Sequence, residues 1–285
     1  MSKFKRILQN IVRTISGYKL EGLSNGSFAF LKEDVNVRFF WPSTVILRQK
    51  IEDEVESNRK IYDHLCQLRV KTLLDRYQID VVIDVGANEG QFASELRRMG
   101  YQGKIISFEP ISSVFESLKK VASVDRDWDV YNLALGQENS QQTIYIAGDS
   151  AFSSLLKSND WCEGEFGDES VGKREETVIV RRSSDVLAET IKNLDRSRIY
   201  LKMDTQGYDL EVFKGLGAMS NKILALQSEV SVVPIYQGMP HLTASISFFE
   251  QAGFDIAGMY PVSTEKSGLR VVEFDCLMVR SPKIE

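Results

Sequence analysis

The sequence predicts an α/β fold, in which a mainly parallel sheet carries helices on both faces. Short apolar runs such as VVIDV (81–85) and IYLKMD (199–204) alternate along the chain with segments of helical pattern. A glycine loop, DVGANEG (84–90), follows the first of these runs directly. The chain has 285 residues, 43% hydrophobic and 26% charged, and is therefore long enough to bury one large core.

The first 75 residues are predicted to form a helical N-terminal extension, and residues 76–285 the α/β domain. Helical spacing places the apolar side chains of residues 3–15 on one face and basic side chains on the other. Two interpretations stay open: this helix packs on the domain, or it makes a peripheral contact with the inner, anionic face of a membrane. Residues 27–40 alternate weakly, which suggests a short hairpin, and residues 51–77 have a charged helical pattern without Gly or Pro.

The elements of the α/β domain are expected to follow one another in a regular order. Strands are predicted at 81–85, 104–110, 128–135, 199–204, 223–230, 254–260 and 270–279, and helices at 90–99, 111–122, from about 208, and at 242–252. The acidic stretch 157–175 interrupts this rhythm and is predicted to be a long loop, with Trp161 and Phe166 as candidates for a lid. The runs QQTIYIA and ETVIVRR on either side of it are expected to pair as extra strands.

Composition excludes several classes of protein. A net charge of −5 and a pI of about 5.4 argue against a nucleic-acid partner. No apolar run reaches the ~20 residues needed to span a bilayer, and no unbroken apolar stretch follows the basic N-terminus as a secretory signal would require. The three cysteines (Cys66, Cys162 and Cys276) form no CxxC pair, which indicates reduced thiols and a cytoplasmic location.

The glycine loop predicts a nucleoside ligand at the carboxyl end of the first strand of the domain. A dinucleotide would require G-x-G-x-x-G, but Asn88 occupies the middle position between Gly86 and Gly90. Asp84 adds a carboxylate, a poor neighbour for pyrophosphate and a good one for an ammonium group. The pattern D-x-G-x-N-x-G therefore favours a nucleoside that carries an amino acid and a positive charge, and S-adenosylmethionine is such a ligand.

The next two strands end in residues that suit the same ligand. Glu109 follows Asp84 by 25 residues, close to the spacing of an acid that binds ribose hydroxyls. A hydrogen bond from a hydroxyl to a carboxylate contributes about 1.5–3 kcal/mol. The third strand ends at YNLAL, where Asn132 and Ala134 are expected to border the adenine. These three segments occur in the right order on three consecutive strands, and together they predict the cofactor site.

The stretch KMDTQGYDLEVFKGLG (202–217), taken with the three strand ends, resembles the FkbM family of S-adenosylmethionine-dependent methyltransferases. The family has the pattern L-K-x-D-x-[EQ]-G-x-[ED]-x-x-[VL]-x-x-G, and the two departures here are Gln206 and Asp209, at positions where Glu is commoner. The segments LQSEVSVVPIYQG and DSAFSSL are also similar to this family. The resemblance covers about residues 78–280.

This resemblance implies a Rossmann-like class I methyltransferase fold. Its sheet would have seven mostly parallel strands in the order 3-2-1-4-5-7-6, with an antiparallel last strand, in addition to the helical N-terminal extension. The implied activity is O-methylation of a sugar, glycan, glycolipid or natural-product hydroxyl. Two alternatives stay open: methylation of nitrogen or another acceptor, and a non-catalytic module that binds the cofactor. The acceptor itself and the oligomeric state are not predicted.

The predicted cofactor-binding residues are Asp84, Gly86, Ala87, Asn88, Gly90, Glu109, Pro110, Asn132, Ala134, Ser153 and Asp204. Ser153 is included because of the DSAFSSL segment, and Asp204 because it ends the fourth strand.

Asp204, Glu229 and His241 are the catalytic candidates. Each has a structural alternative: a helix cap for Asp204, a salt bridge for Glu229 and an exposed helix start for His241. Asp204, Asp209 and Glu229 could also hold a divalent cation through oxygen ligands. The sequence does not separate a metal from a metal-free base, and no metal is predicted.

Overall fold

The structure, a computed structural model, describes strands between residues 18 and 49 and the continuous chain 54–282, with side chains from residue 59. The described strands of the first part are 18–22, 28–32, 35–40 and 44–49. The chain divides into two units, Met1–His64 and Leu65–Glu285. The predicted amphipathic helix of residues 3–15 lies outside the described residues.

Two hairpins and the start of a long helix form the described part of the first unit. Strand β1 (Tyr18–Gly22) pairs antiparallel with β2 (Phe28–Lys32), and β3 (Val35–Phe40) pairs antiparallel with β4 (Thr44–Gln49). The hairpin predicted within residues 27–40 is therefore wrong, because alternation indicates a strand but does not select its partner.

Helix α1 (Glu54–Arg76) confirms the helical pattern that precedes the α/β domain. It runs through both residue 64 and residue 75, so the predicted division of the chain at residue 75 stays a prediction. Over the residues that the structure describes, no helix combines the length and apolarity that crossing a bilayer requires.

The second unit alternates strands and helices. Its strands are β5 (Val81–Val85), β6 (Lys104–Phe108), β7 (Trp128–Tyr131), β8 (Ala134–Gly136), β9 (Ser140–Ala147), β10 (Gly172–Arg182), β11 (Ile199–Met203), β12 (Ile223–Ser231), β13 (Phe254–Thr264) and β14 (Val271–Arg280). Its α-helices are α2 (Gln91–Arg98), α3 (Ser112–Ala122), α4 (Asp160–Phe166), α5 (Ser183–Thr190), α6 (Asp209–Lys214) and α7 (Leu242–Gln251), and short 3-10 helices cover Ser150–Phe152, Gly167–Glu169 and Gly217–Lys222.

A seven-stranded sheet forms the centre of this unit. Its strand order is β7-β6-β5-β11-β12-β14-β13. The strands from β7 to β12 are parallel to one another, and β14 runs antiparallel to both of its neighbours. Numbered along the chain within this sheet, the order is 3-2-1-4-5-7-6, so both the predicted fold class and the predicted strand order are confirmed.

The sheet has a hydrophobic core on each face because its central strands are buried on both sides. All five residues of β5 and of β11 are buried. Because side chains alternate along a strand, Val82 and Tyr200 lie on one face of the sheet and pack with α1, α2 and α3. Ile83 and Leu201 lie on the other face and pack with α5, α6 and α7. Each buried aliphatic side chain contributes about 1.5–3 kcal/mol. This double burial fixes the carboxyl ends of the strands, where the predicted site lies.

The chain after β7 forms a second, smaller sheet, in which the strand order is β8-β10-β9. Strands β9 and β10 pair antiparallel, which confirms the pairing expected for QQTIYIA and ETVIVRR. The predicted strand 128–135 is two strands, since β7 joins the central sheet and β8 pairs with β10.

The long loop predicted for residues 157–175 is wrong in part, because it contains α4 and the start of β10. The Asn159 side chain caps α4 by accepting a hydrogen bond from the Cys162 backbone amide at 2.9 Å. Cys162 is fully buried against Ile235 and Tyr236. Tertiary packing thus orders a segment whose composition indicated a loop.

Candidate cofactor and acceptor site

The glycine loop holds three strand ends together. Gly86 has φ +77°, and a Cβ at this position would lie 1.9 Å from the Asp204 carbonyl oxygen, so no side chain fits there. The backbone amides of Gly86 and Ala87 both lie 3.0 Å from the Phe108 carbonyl oxygen. The Asp204 amide donates to the Val85 carbonyl oxygen at 3.0 Å. The ends of β5, β6 and β11 are therefore in direct contact.

Glu109 lies between the glycine loop and the start of α3. Its Oε2 accepts a hydrogen bond from the Asn88 amide at 3.0 Å, and its Oε1 accepts one from the Ile111 amide at 2.8 Å. Asn88 has φ +47°, a left-handed conformation that Asn tolerates better than most residues. The Asn132 side chain donates to the carbonyl oxygens of Glu109 and Pro110 at 2.9 and 3.0 Å. The Glu109 carboxyl is therefore held in one orientation.

Burial changes the protonation of Glu109. The residue is 5% exposed, and this desolvation raises the pKa of Glu109 to about 7, against the opposing effect of the two backbone hydrogen bonds. Each of its oxygens still has a lone pair beyond the one that accepts the backbone amide. The carboxyl lines a pocket and is suited to accept hydrogen bonds from two neighbouring hydroxyl groups.

The pocket has a volume of about 210 Å³ and two chemically different ends. The end at β6, α3 and β8 is apolar, and its wall includes Phe108, Ile111, Val114, Leu133, Ile144 and Leu155. The end at β11 and β12 is polar and includes Asp204, Gln206 and Glu229. Ser150, Ser153 and Ser154, from the segment that follows β9, also line the pocket. Such a pocket fits a flat apolar ring, a diol and a charged tail in one molecule.

A buried lysine connects two of the strand-end acids. Lys202 Nζ lies 3.3 Å from Asp84 Oδ1 and 3.2 Å from Asp204 Oδ2. Burial lowers the pKa of Lys202, but the carboxylates of Asp204 and Asp84 raise it by more, so the ammonium group stays charged. Burial raises the pKa of Asp84, which is 0% exposed, and Lys202 opposes this effect. Asp84 also accepts a hydrogen bond from Ser107 Oγ at 3.2 Å.

Asp204, Gln206 and Glu229 form a hydrogen-bonded group on the pocket wall. Gln206 Nε2 donates to Asp204 Oδ1 at 3.1 Å and to Glu229 Oε2 at 2.8 Å. The Tyr236 hydroxyl lies 2.8 Å from Gln206 Oε1 and 3.0 Å from the Phe152 carbonyl oxygen. Burial, and next the charge of Glu273, raise the pKa of Glu229 well above its ordinary range.

Asp209 fixes the turn that carries this group. Its Oδ1 accepts hydrogen bonds from the amide and hydroxyl of Thr205, and its Oδ2 accepts from Ser228 Oγ at 2.7 Å and from the Glu229 amide at 3.1 Å. Asp209 is 4% exposed and does not line the pocket in the described part of the chain. These bonds tie the end of β11 to β12 and set the position of the Glu229 backbone.

The structure brings most of the predicted site residues together. Gly86, Asn88, Glu109, Pro110, Ala134, Ser153, Asp204 and Glu229 line the pocket. Among the described residues, the lining does not include Asp84, Ala87, Gly90, Asn132 and His241.

The predicted residues outside the lining have other neighbours. Asp84 is buried with Lys202, and Ala87 is buried under the loop. Gly90 starts α2 at φ +89°, where a Cβ would lie 2.8 Å from the Trp128 ring. His241 is exposed and caps α7, with Nδ1 accepting from the Thr243 amide at 3.3 Å.

The aromatic residues predicted as a lid belong to a small hydrophobic cluster. Trp161 and Phe166 lie on α4, with ring centroids 6.0 Å apart, and the Phe166 ring is 5.1 Å from that of Phe152. They pack around buried Cys162 and Tyr236. In the described residues, neither of the two lines the pocket. Their contact with the site passes through Tyr236 and Phe152.

Three residues that hydrogen-bond or pair with other polar side chains of the site, Lys202, Gln206 and Tyr236, are absent from the sequence-based prediction of site residues. Lys202 and Gln206 appear there only as positions of a motif, and Tyr236 only as part of a similar segment. One signal for Lys202 was available: Lys202 and Asp204 are two residues apart on a strand, so their side chains lie on the same side. No local signal identifies Tyr236, which comes from a loop 30 residues after Gln206.

The chemistry of the acids does not indicate a metal centre. Within the part of the chain that the structure describes, no group of three or more His, Cys, Asp or Glu side chains is arranged to hold a metal ion. Asp209, one of the three oxygen ligands considered from the sequence, has both carboxylate oxygens engaged by Thr205, Ser228 and the Glu229 amide.

Two known proteins are similar in sequence to about half of this chain. Methyltransferase 1 of Beauveria bassiana (strain ARSEF 2860) is 28% identical over 145 residues, which are 47% of this chain and 57% of that protein. Methyltransferase sdnD of Sordaria araneosa is 30% identical over 155 residues, 47% of this chain and 60% of that protein. The chain thus covers less than two thirds of the length of either relative.

Solved structures similar to this chain include two that contain S-adenosylmethionine. Aeropyrum pernix fibrillarin has a TM-score of 0.43 at 11% identity, covering 92% of this chain and 94% of that chain. Magnesium protoporphyrin IX methyltransferase from Synechocystis PCC 6803 also has a TM-score of 0.43 at 11% identity, covering 99% of each chain.

A family profile identifies the central part of the chain. The methyltransferase FkbM domain matches residues 84–256, from the glycine loop to the second residue after Phe254. This region contains the pocket wall from Gly86 to Glu229 and is more than half of the 285 residues. The protein therefore belongs to the FkbM methyltransferase family.

Proposed function

We propose that this protein is an S-adenosylmethionine-dependent O-methyltransferase that acts on a hydroxyl group of a sugar, glycan, glycolipid or natural product. One observation carries the proposal: the Glu229 carboxylate lines the same pocket as Glu109, with one oxygen bound by Gln206. Over the described residues, the other oxygen, Oε1, makes no hydrogen bond. The pocket therefore combines an acceptor for a ribose diol with a carboxylate that can take a proton.

The residues present fit S-adenosylmethionine. The apolar end, with Ile111, Val114 and Leu133, suits the adenine ring, and Glu109 suits the two ribose hydroxyls. Asp204 has 42% of its side chain exposed and lines the polar end, where a carboxylate attracts the ammonium group of the methionine part. When bound, this cofactor supplies an electrophilic methyl group.

Glu229 is the residue proposed to manage the proton of the acceptor. A sugar hydroxyl is a weak nucleophile, and a positioned base accelerates such a reaction by about 10²–10⁴-fold. Because burial raises the proton affinity of Glu229, this carboxylate is a stronger base than an exposed one. Asp204 is less suited to this role, since Lys202 and Gln206 occupy its two oxygens. The hydroxyl proton would pass to Glu229 Oε1.

Charge supports a small or glycan acceptor and opposes a polynucleotide. The net charge is −5, and an open surface beside the pocket is lined by Glu89, Asp149, Asp168 and Glu169 together with Lys173. These carboxylates repel a phosphate backbone, whose binding depends on neutralisation by Lys and Arg. Neutral polyhydroxylated molecules carry no such penalty.

A transfer assay tests this proposal. Full-length protein is incubated with methyl-labelled S-adenosylmethionine and separate pools of glycans, glycolipids, hydroxylated small molecules and amines. We expect label in a hydroxyl-bearing pool, as a methyl ether that resists mild base. Label confined to the amine pool, or no transfer to any pool, contradicts O-methylation.

The affinity for the nucleoside should depend on pH through Glu109. Because the pKa of Glu109 is about 7 in the free protein, the carboxylate that accepts the ribose hydroxyls predominates at pH 8 and is a minority at pH 6. We expect 5′-methylthioadenosine, which has the ribose but no titrating amine, to bind about tenfold more weakly at pH 6 than at pH 8. Isothermal titration at both pH values measures this ratio.

The same shift has the opposite effect on the stability of the free protein. The pKa of Glu109 is raised from 4.5 to about 7 on folding, so the folded state binds more protons between these values and loses stability as pH rises through them.

Glu109→Gln should remove the pH dependence of nucleoside binding while lowering affinity at pH 8. Equal affinity of the wild-type protein at pH 6 and pH 8 would show that Glu109 does not bind the ribose as a carboxylate.

A further inference from the structure

Gln206 occupies a strained position at the centre of the polar end of the pocket. Its φ is +52°, a left-handed conformation that is costly for a residue with a side chain, and Gly207 follows at φ +92°. The Ser154 hydroxyl donates to the Gln206 carbonyl oxygen at 2.7 Å, which holds this backbone in place. Such a turn directs the side chain toward Asp204 and Glu229 rather than along the strand.

The amide of Gln206 has only one orientation that satisfies its neighbours. Two carboxylates, Asp204 and Glu229, accept from the amide nitrogen, which has two hydrogens. The oxygen of the amide faces the Tyr236 hydroxyl, which is a donor. A flipped amide would place its oxygen against the oxygens of Asp204 and Glu229 and would leave both carboxyl groups without its donor hydrogens. The side chain is thus a neutral donor to the carboxyl groups of both Asp204 and Glu229.

We propose that Gln206 is a positioning residue that presents Glu229 to the methyl acceptor. Its amide binds Oε2 of Glu229 and leaves Oε1 to receive the proton of the hydroxyl. This inference rests on the proposed function, in which Glu229 is the base. Because an amide does not titrate, it donates to Glu229 at every pH, and it favours the deprotonated form that a base requires.

The same residue connects the base to the segment that borders the pocket after β9. Ser154 bonds the Gln206 backbone, and Tyr236 lies within hydrogen-bond distance of both the Gln206 side chain and the Phe152 carbonyl oxygen. Ser150, Ser153 and Ser154 belong to this segment and line the pocket. A shift of the segment would therefore move Gln206, and with it the Glu229 carboxyl.

Two substitutions of Gln206 separate positioning from a merely structural role. Gln206→Glu keeps the shape of the side chain, but the introduced carboxyl can donate to Glu229 only when it is protonated. Relative to wild type, we expect its rate of methyl transfer to fall about 100-fold at pH 8 and only about tenfold at pH 6. Gln206→Met cannot donate at any pH, so its rate should fall about 100-fold at both. KM for S-adenosylmethionine should change less than threefold in both variants.

The assay uses labelled S-adenosylmethionine and the hydroxyl-bearing pool that takes up label with the wild-type protein. Gln141→Glu, a substitution at an exposed glutamine of β9, is the matched control and should keep the wild-type rate at both pH values. Tyr236→Phe keeps the donors of Gln206 but removes the hydroxyl that orients its amide, and it should lower kcat about threefold. This variant decides the question if neither substitution of Gln206 folds.

The outcomes distinguish this inference from the proposed function. If the wild-type protein labels no hydroxyl pool, O-methylation itself fails. If the wild-type protein is active and the Gln206 variants retain its rate, the positioning role is wrong and the proposed function stands. An equal loss at pH 6 and pH 8 in Gln206→Glu also contradicts the role, because it indicates structural damage. If both Gln206 variants fail to fold, an unchanged kcat in Tyr236→Phe contradicts the positioning role of Gln206.

Discussion

Replacing Lys202 by Met is expected to lower the free energy of unfolding by about 3–5 kcal/mol at pH 8. Lys202 Nζ is the cation beside Asp84, at 3.3 Å, and Asp84 is 0% exposed. Methionine keeps most of the side-chain volume but leaves the Asp84 carboxylate buried with a hydrogen bond from Ser107 and no counter-charge. Chemical denaturation monitored by circular dichroism measures the loss.

The effect of Lys202→Met should depend on pH in one direction. Without the ammonium group, Asp84 takes up a proton more readily in the folded state than in the unfolded state, so lower pH relieves the penalty. The destabilisation should therefore be smaller at pH 5 than at pH 8. The double variant Lys202→Met with Asp84→Asn should recover much of the stability at pH 8, because no charge is then buried.

A surface lysine provides the control for this prediction. Lys222 pairs with the exposed Asp195 at 2.9 Å, so Lys222→Met should change stability far less than Lys202→Met. If Lys202→Met unfolds at the same denaturant concentration as the wild-type protein at pH 8, Asp84 is not held as a buried charge by this lysine.

Glu229→Gln is expected to lower kcat for methyl transfer about 10²–10⁴-fold. The substitution keeps the size of the side chain on the pocket wall, but a neutral amide cannot take the proton of the hydroxyl. The affinity for S-adenosylmethionine should stay within about threefold, because the proposed contacts of the adenosine part are at Glu109 and the apolar end of the pocket. Single-turnover kinetics and calorimetry measure the two quantities separately.

The control for Glu229→Gln is the same change at Glu250, which is exposed on α7 and is expected to keep the wild-type kcat. An unchanged kcat in Glu229→Gln would remove Glu229 from the mechanism. A parallel loss of kcat and of cofactor affinity would instead place Glu229 among the groups that bind the cofactor.

The part of the site that depends on strand ends could be predicted from the sequence. Strand length and alternation are local properties, and the carboxyl ends of parallel strands meet at one edge of the sheet. The positions of Gly86, Glu109 and Asp204 at this edge follow from these two facts. Gly86 also had a local signal, because a left-handed turn with no space for a Cβ requires glycine.

The partners of these residues could not be predicted in the same way. Asp84 was expected at the cofactor, but it is buried against Lys202, 118 residues further along the chain. Gln206 meets Glu229 and Tyr236 on a turn that Asp209 ties to β12 and whose backbone Ser154 holds. Contacts of this kind depend on tertiary packing, and no periodicity in the sequence encodes them.

Packing also explains two places where the observed structure differs from the expectation. The acidic composition of residues 157–175 indicated a loop, but Asn159 supplies a helix cap and Cys162 a buried contact, and α4 forms. His241 had the chemistry of a base at neutral pH, yet it is an exposed cap of α7. The sequence shows which side chains could act as a base, but the fold determines which of them line the pocket.

A crystal structure with S-adenosylhomocysteine, the demethylated product of the cofactor, tests the central claim most directly. We predict that both ribose hydroxyls bond the Glu109 carboxylate, that the adenine lies against Ile111, Val114 and Leu133, and that the amino group lies near Asp204. A complex in which the nucleoside binds elsewhere, or a pocket that remains empty at saturating ligand, would contradict the account.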